Sequence, residues 1–330
     1  MRPMRWVETS GGPVKLAAIM PLVGLMACLA PEDNGETVME DATPSGQAIE
    51  QIQLRVGEFT FDALASGPED GELVLMLHGF PQSSYSFRYQ IPAVAAMGFR
   101  VVAPDQRGYS PGARPEGVEA YTVSNLVADV VGMADALGRE RFHVVGHDWG
   151  AAVAWQVGLA HPDRVMSLVP LSVPHPYAFG EALRSPTGDQ GGRSSYFQFF
   201  ASDSAAATFL ANDAERLREV YAGWGGLSDE DVQTYVDLLT QPGALQGALN
   251  WYGAMNLGAG GGGGTPISMP TMFVWSTEDA ALGREGAELT EKYVEGPYRF
   301  EVLEGVSHWI PEEAADRLNE LLREHFTSPH

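Results

Sequence analysis

Phe142-His143-Val144-Val145-Gly146-His147-Asp148-Trp149-Gly150 is the stretch on which the fold turns. A short apolar run leads into it, and an apolar helical pattern from Ala151 to Ala160 leads out. A strand, a G-x-D-x-G turn and a helix in that order have the form of a nucleophile elbow, with Asp where Ser usually stands. Glycine lacks Cβ, so Gly146 and Gly150 permit a cramped turn that exposes the side chain between them. Taken alone the motif is weak, since an Asp at this place can equally cap the following helix.

Outward from the turn, the chain alternates two kinds of pattern. Leu73 to Leu77, Phe99 to Ala103, Phe142 to Val145, Val165 to Leu171 and Thr271 to Trp275 are short, continuous apolar runs. Such runs suit strands buried on both faces. Between them, Phe87 to Met97, Val123 to Leu137 and Ala151 to Ala160 read as helices. Gln51 to Val56 and Phe59 to Leu64 alternate around Gly57-Glu58, as in an antiparallel hairpin. The class predicted is α/β with a mostly parallel central sheet. After Val173-Pro174 the rhythm breaks, and residues from about 175 to 257 are helix-like and rich in aromatics. Within them Asp229 to Leu239 reads as a helix with Ser228 as its N-cap and Asp231 three residues on. The segment ends in residues 258–264, glycine except for Ala259, a flexible connector. Strand rhythm resumes at Thr271. The organisation expected is a core over 49–174, a helical cap inserted over 175–265 and a second core segment over 266–330.

Composition narrows the function. The 330 residues carry 20 Lys+Arg against 43 Asp+Glu, a net charge of -23. A nucleic-acid binder needs a basic face, so that class is disfavoured. A hydrophobic fraction of 45% supplies a large core. Cys28 is the single cysteine, which excludes an intramolecular disulfide and a cysteine-rich metal site. The basic residues are 18 Arg and 2 Lys. Such a surface fits adaptation to salt, and equally a bias toward Arg codons.

The N-terminus reads as an address. Arg2, Arg5 and Lys15 precede a 12-residue apolar run, Leu16 to Ala27, that contains Pro21 and Gly24. A spanning helix needs about 20 apolar residues, so 1–27 is expected to be a signal peptide. Leu25-Met26-Ala27-Cys28 resembles the lipobox of bacterial lipoproteins, which implies lipidation of Cys28 and anchoring to a membrane. Residues 28–48 read as a flexible acidic tether. The expected location is the cell envelope after export. Ordinary secretion with cleavage after Ala30, leaving the protein secreted or periplasmic, and a non-cleaved anchor are the alternatives.

From about Ile49 to Phe326 the chain resembles α/β-hydrolases of the epoxide hydrolase group. The matching pieces are His78-Gly79-Phe80-Pro81, Asp105-Gln106-Arg107-Gly108-Tyr109-Ser110, Gly146 to Gly150, Leu249-Asn250-Trp251-Tyr252 and Ser307-His308-Trp309. The resemblance implies an α/β-hydrolase fold with Asp148 as nucleophile, His308 as base and Asp279 as the acid orienting it. Glu278 is the fallback for the acid; Leu171-Ser172-Val173-Pro174, where some relatives carry it, has no carboxylate. Backbone N–H groups of Phe80 and Trp149 would form the oxyanion hole, and Pro81 would follow a cis bond. Tyr252 and Tyr196 would protonate the opening ring, although relatives often have Arg where Gly253 stands. Asp105 to Ser110 reads as a structural turn, with Arg107 holding loops together. His147 is expected to pack or hydrogen-bond locally, and His161, His325 and His330 to be exposed helix or tail residues.

Aspartate selects the chemistry. A carboxylate is ionised at neutral pH and attacks without a base, forming an alkyl ester at saturated carbon. That ester then needs an activated water and an oxyanion hole. The reaction implied converts an epoxide and water to a vicinal diol, with no metal or organic cofactor. A haloalkane dehalogenase is the runner-up, since the Trp149 indole could donate to halide; such enzymes usually carry Asn where Phe80 stands. Fluoroacetate-type dehalogenases usually have Arg after the nucleophile, where this chain has Trp149. A non-catalytic lipoprotein that binds a ligand is a third, remote reading. Oligomeric state is not legible.

Overall fold

The structure is a computed structural model and describes residues 48–222, 227–255, 257 and 266–328. The expected signal peptide, Cys28, nearly all of the tether, the connector at 258–264 and His330 lie outside the described residues. Eight strands form one sheet: β1 (Glu50–Val56), β2 (Phe59–Ser66), β3 (Leu73–Leu77), β4 (Arg100–Pro104), β5 (Phe142–His147), β6 (Val165–Leu171), β7 (Thr271–Ser276) and β8 (Tyr298–Leu303). Their order is β1-β2-β4-β3-β5-β6-β7-β8. β1 pairs antiparallel with β2 and β2 with β4, and every later pairing is parallel.

Helices connect and cover the strands. They are α1 (Gln90–Ala95), α2 (Val123–Ala136), α3 (Trp149–Ala160), α4 (Pro176–Arg184), α5 (Gln190–Arg193), α6 (Phe197–Phe200), α7 (Ala205–Ala222), α8 (Asp229–Leu239), α9 (Ala244–Ala254), α10 (Arg284–Leu289), α11 (Ile310–Glu313) and α12 (Ala315–Thr327). Backbone at Ala211–Ala214 interrupts α7. Helices α4 to α9 all fall between β6 and β7, and α9 packs past the carboxyl ends of β3 and β5, where Tyr252 meets Phe80 and Trp149.

The continuous apolar runs serve two cores at once. Side chains alternate across a strand, and β3 sends Leu73, Leu75 and Leu77 into one buried cluster and Val74 and Met76 into another. The first cluster packs against α2, α3 and the inserted helices. The second packs against α1 and α12. Two expected elements differ in detail. The helix expected over Phe87 to Met97 is a short 3-10 turn at Ser84–Phe87 followed by α1 from Gln90. Pro92 accounts for this: in a helix begun at Phe87 its ring would meet the carbonyl of Arg88, whereas in the first turn of α1 it is tolerated. His325, expected to be exposed, is buried at 4%. It shares the inward face of α12 with Leu318, Leu321 and Leu322, at helical spacing.

Candidate active site

Asp148 stands between the end of β5 and the start of α3, with φ 51 and ψ -121. A non-glycine residue in this region is strained, and surrounding structure must hold it there. Close packing does so: a Cβ on Gly150 would lie 1.9 Å from the Leu77 carbonyl oxygen. The helix therefore starts hard against β3, and the Asp148 side chain projects from the corner. Its Oδ1 accepts the Phe80 N–H at 2.8 Å. The Trp149 N–H also donates to this carboxylate. The two backbone donors expected for an oxyanion hole thus converge on the carboxylate of the nucleophile candidate.

The loop that carries Phe80 is itself fixed. The Gln106 N–H donates to His78 Nε2 at 3.1 Å, so His78 carries its proton on Nδ1, which meets the Gly79 carbonyl at 3.0 Å. Burial pushes His78 down to about 4, against weaker opposing effects of the Gly79 bond and the Asp148 charge. The Phe80–Pro81 bond is cis. Arg107 closes on Asp129 through two bonds of 2.6 Å and reaches the Ala120 carbonyl, and the Trp251 indole donates to the Arg107 carbonyl at 2.9 Å. Arg107 thus ties loops and cap together.

His308 follows β8, and Asp279 follows β7. His308 Nδ1 lies 2.8 Å from Asp279 Oδ2, and His308 Nε2 lies 3.4 Å from Asp148 Oδ2. Asp279 Oδ1 accepts the N–H groups of Ala281 and Leu282 at 2.8 and 2.9 Å, which locks its orientation. Glu278, the fallback, is exposed. Burial alone would lower the His308 pKa; the Asp279 charge, hydrogen bonds to Asp148 and Asp279, and the Asp148 charge reverse this and raise it to about 10. Burial alone would raise Asp148; the hydrogen bond and charge of His308, then His147 and the Trp149 N–H, hold it below the usual carboxylate range.

The inserted helices bring an aromatic wall over this group. Tyr252, on α9, packs edge-on against Phe80 at 5.5 Å and Trp149 at 5.2 Å between ring centres. Tyr196, just before α6, lies 6.3 Å from Tyr252, and Phe197 and Phe200 flank both rings. Burial and then the Asp148 and Asp279 charges push the Tyr196 phenol far up. Burial, then Tyr196 and Asp148, do the same to Tyr252, against a hydrogen bond from the Trp149 side chain. Both phenols therefore keep their protons and can donate. Gly253 has a packing reason of its own, since a Cβ there would come within 3.1 Å of Val118. Among the described residues no group of three or more His, Cys, Asp and Glu could hold a metal ion.

His147 does more than pack locally. Its Nδ1 meets Gln82 Oε1 at 2.9 Å and its Nε2 meets the His308 carbonyl at 2.8 Å. Gln82 in turn meets Glu312 at 2.6 Å. Tyr109, within the turn read as structural, lies close enough for the Asp148 charge to act on its phenol. Sequence reasoning assigns none of these groups to the site. Only the neighbourhood of Gln82 to His78-Gly79-Phe80-Pro81, and of Glu312 to His308, hints at them.

Comparison with known proteins agrees with this fold. The family model for the alpha/beta hydrolase fold matches residues 72–315. The AB hydrolase superfamily protein YfhM of Bacillus subtilis is 35% identical over 274 residues, covering 81% of this chain and 94% of that protein. Epoxide hydrolase A of Mycobacterium tuberculosis is 34% identical over 312 residues, covering 84% of this chain and 94% of its own. The crystal structure of epoxide hydrolase A from Mycobacterium thermoresistibile superposes with a TM-score of 0.75 at 29% identity, covering 84% and 98% of the two chains. With its eight-stranded sheet, its Asp148 elbow and these relatives, the chain belongs to the α/β-hydrolase fold family and groups there with the epoxide hydrolases.

Proposed function

We propose that this protein hydrolyses epoxides to vicinal diols through a covalent ester on Asp148. The observation that carries the reading is a nucleophile-competent carboxylate whose charge reaches two protonated phenols, half-buried Tyr196 and buried Tyr252, whose rings lie 6.3 Å apart. Asp148 Oδ1 is held by the Phe80 N–H, which leaves Oδ2 to attack the ring carbon. The C–O ring bond breaks, and the ring oxygen takes a proton from a phenol. His308 then removes a proton from water, and the hydroxide adds to Asp148 Cγ. Charge develops on Oδ1, to which the Phe80 N–H already donates, and the Trp149 N–H donates to the same carboxylate. Collapse breaks the Cγ–Oδ2 bond; the second water proton goes to the departing diol, and His308 ends the cycle holding the proton it took from water, protonated as it began. Esterification cancels the Asp148 charge and its hydrogen bond to His308, two of the effects that hold the imidazole protonated. His308 can then pass its resting proton to the phenolate left by ring opening, which restores the phenol and frees the imidazole as a base only once there is an ester to hydrolyse.

The dehalogenase reading lacks comparable support. The Trp149 side chain that would hold a halide is engaged with the Tyr252 phenol. The test is single-turnover mass spectrometry in labelled water. His308→Gln should trap an alkyl adduct on Asp148, and one wild-type turnover should place solvent oxygen in the Asp148 side chain. Tyr252→Phe should slow ring opening and spare ester breakdown. Halide release from bromoalkanes with no diol from an epoxide panel would transfer the assignment to the dehalogenase.

We also propose export and lipid anchoring through Cys28, on the Leu25-Met26-Ala27-Cys28 sequence after a short apolar run. Labelled fatty acid should enter the wild-type chain and not Cys28→Ser. Equal absence of label from both would favour ordinary secretion.

A further inference from the structure

A chain of buried polar groups runs from the cap to the base, and its donors and acceptors do not balance at the usual charges. Glu312 Oε1 accepts from Arg88 Nη1 at 2.6 Å and from the Tyr235 hydroxyl of α8 at 2.7 Å. Glu312 Oε2 meets the Gln82 amide at 2.6 Å, and the other end of that amide meets His147 Nδ1 at 2.9 Å. His147 Nε2 meets the His308 carbonyl at 2.8 Å. Gln82, His147 and Glu312 are all buried. A carbonyl oxygen only accepts, so His147 Nε2 carries a proton. If His147 is neutral, Nδ1 is then an acceptor, and the Gln82 amide turns its NH2 toward it. The amide oxygen then faces Glu312, which needs a proton of its own to avoid two acceptors at 2.6 Å. If the amide instead gives its NH2 to Glu312, its oxygen faces His147 Nδ1, which then carries a second proton. Either way the chain contains one proton more than an ionised glutamate and a neutral histidine supply.

We propose that Glu312 and His147 share one buried proton through the Gln82 amide, and that Glu312 is thereby a positioning residue for the loop carrying His308. This rests on the reading of His308 as the base. The surrounding charges agree. Arg88 faces Asp231 at 3.0 Å as well as Glu312, so its single charge is already partly spent. Around His147 stand His308, Asp148 and Asp279; around Glu312 stand Arg88, Tyr235 and Tyr221. Burial, and then the His308 charge, push His147 down to about 4, and burial raises Glu312 against Arg88. The glutamate is thus the favoured resting place of the proton. Raising the pH strips it and leaves two acceptors face to face, at Gln82 or, where His147 moves its remaining proton to Nδ1, at the His308 carbonyl, which then keeps Ser172 Oγ at 3.1 Å and the Ile310 N–H at 3.0 Å.

The test has a spectroscopic and a kinetic arm. In the intact protein at neutral pH, difference infrared spectroscopy of wild type against Glu312→Gln should show a protonated carboxylic acid that the substitution removes. Nitrogen NMR of His147 reports the other resting place. An ionised Glu312 together with a neutral His147 would overturn the proposal, and that measurement needs no substrate. A protein that opens no epoxide therefore sinks the activity reading without touching this one. In the kinetic arm, Glu312→Leu should slow ester hydrolysis by up to about a hundredfold, as a misplaced catalytic group does, with ring opening much less affected. Glu312→Gln, whose amide supplies the same donor permanently, should restore most of the rate and abolish the alkaline fall in ester hydrolysis expected of wild type. Equal slowing of both half-reactions in Glu312→Leu, or an unchanged alkaline fall in Glu312→Gln, would reduce Glu312 to a structural role.

Discussion

His308 lies between two carboxylates, and its behaviour sets the first prediction. Its folded pKa is raised to about 10 from 6.5, after burial has been outweighed by Asp279 and Asp148. A histidine raised on folding binds more protons in the native state, so the stability it contributes is fully present below pH 6.5 and is lost as pH climbs through about 10. Urea unfolding should therefore show stability declining across that window, and Asp279→Asn should flatten the decline. A profile for Asp279→Asn parallel to wild type would contradict the assignment. At this scale the triad candidates are legible in the sequence because each has a local signature: Asp148 a turn between glycines, Asp279 and His308 loops that follow strands. The groups behind them are not. Gln82 and Glu312 are 230 residues apart, and His147 and His308 are 161 apart. Polar loop residues carry no periodicity from which such meetings can be read.

Among the elements, α8 shows how a cap helix is held. Ser228 Oγ accepts the Asp231 N–H while the Asp231 carboxylate accepts the Ser228 N–H, a reciprocal capping box. The same carboxylate meets the Tyr85 hydroxyl and Arg88, so the start of the helix is pinned to the core. Ser228→Ala should cost about 1 kcal/mol in a denaturant titration, the usual loss for a cap. Asp231→Ala should cost more, because Arg88 loses one of its two carboxylate partners and the Tyr85 hydroxyl loses its acceptor. Equal costs would mean that the tie to the core contributes nothing. Ser228 and Asp231 by themselves announce this helix, and the strands are equally plain in the sequence, because capping and buried apolar runs are encoded within a few residues. The aromatic-rich stretch before α8 carries no such signal. Tyr196, Phe197, Phe199 and Phe200 cluster in both packing and site, and only their placement near Tyr252 separates the two uses.

Across the whole molecule the net charge is -23, and most of it falls on the α/β-hydrolase body after residue 48. Like charges on its surface repel, and salt screens that repulsion beyond a Debye length of about 8–10 Å at physiological ionic strength. The attractive pairs that matter most are screened far less. Arg107 with Asp129, and Arg88 with Glu312, are nearly excluded from solvent. Added salt should therefore remove more repulsion than attraction, and the melting temperature should rise with sodium chloride. For a chain of this size each kcal/mol gained is worth about 2–4 °C. Sucrose at matched osmolality separates charge screening from general exclusion of solute, because it strengthens burial without screening. A rise with salt that exceeds the rise with sucrose, and that shrinks when exposed carboxylates such as Glu58, Glu278 and Glu304 are changed to Gln, would identify the acidic surface as adapted to salt. A flat response would leave the scarcity of lysine as a matter of codon usage.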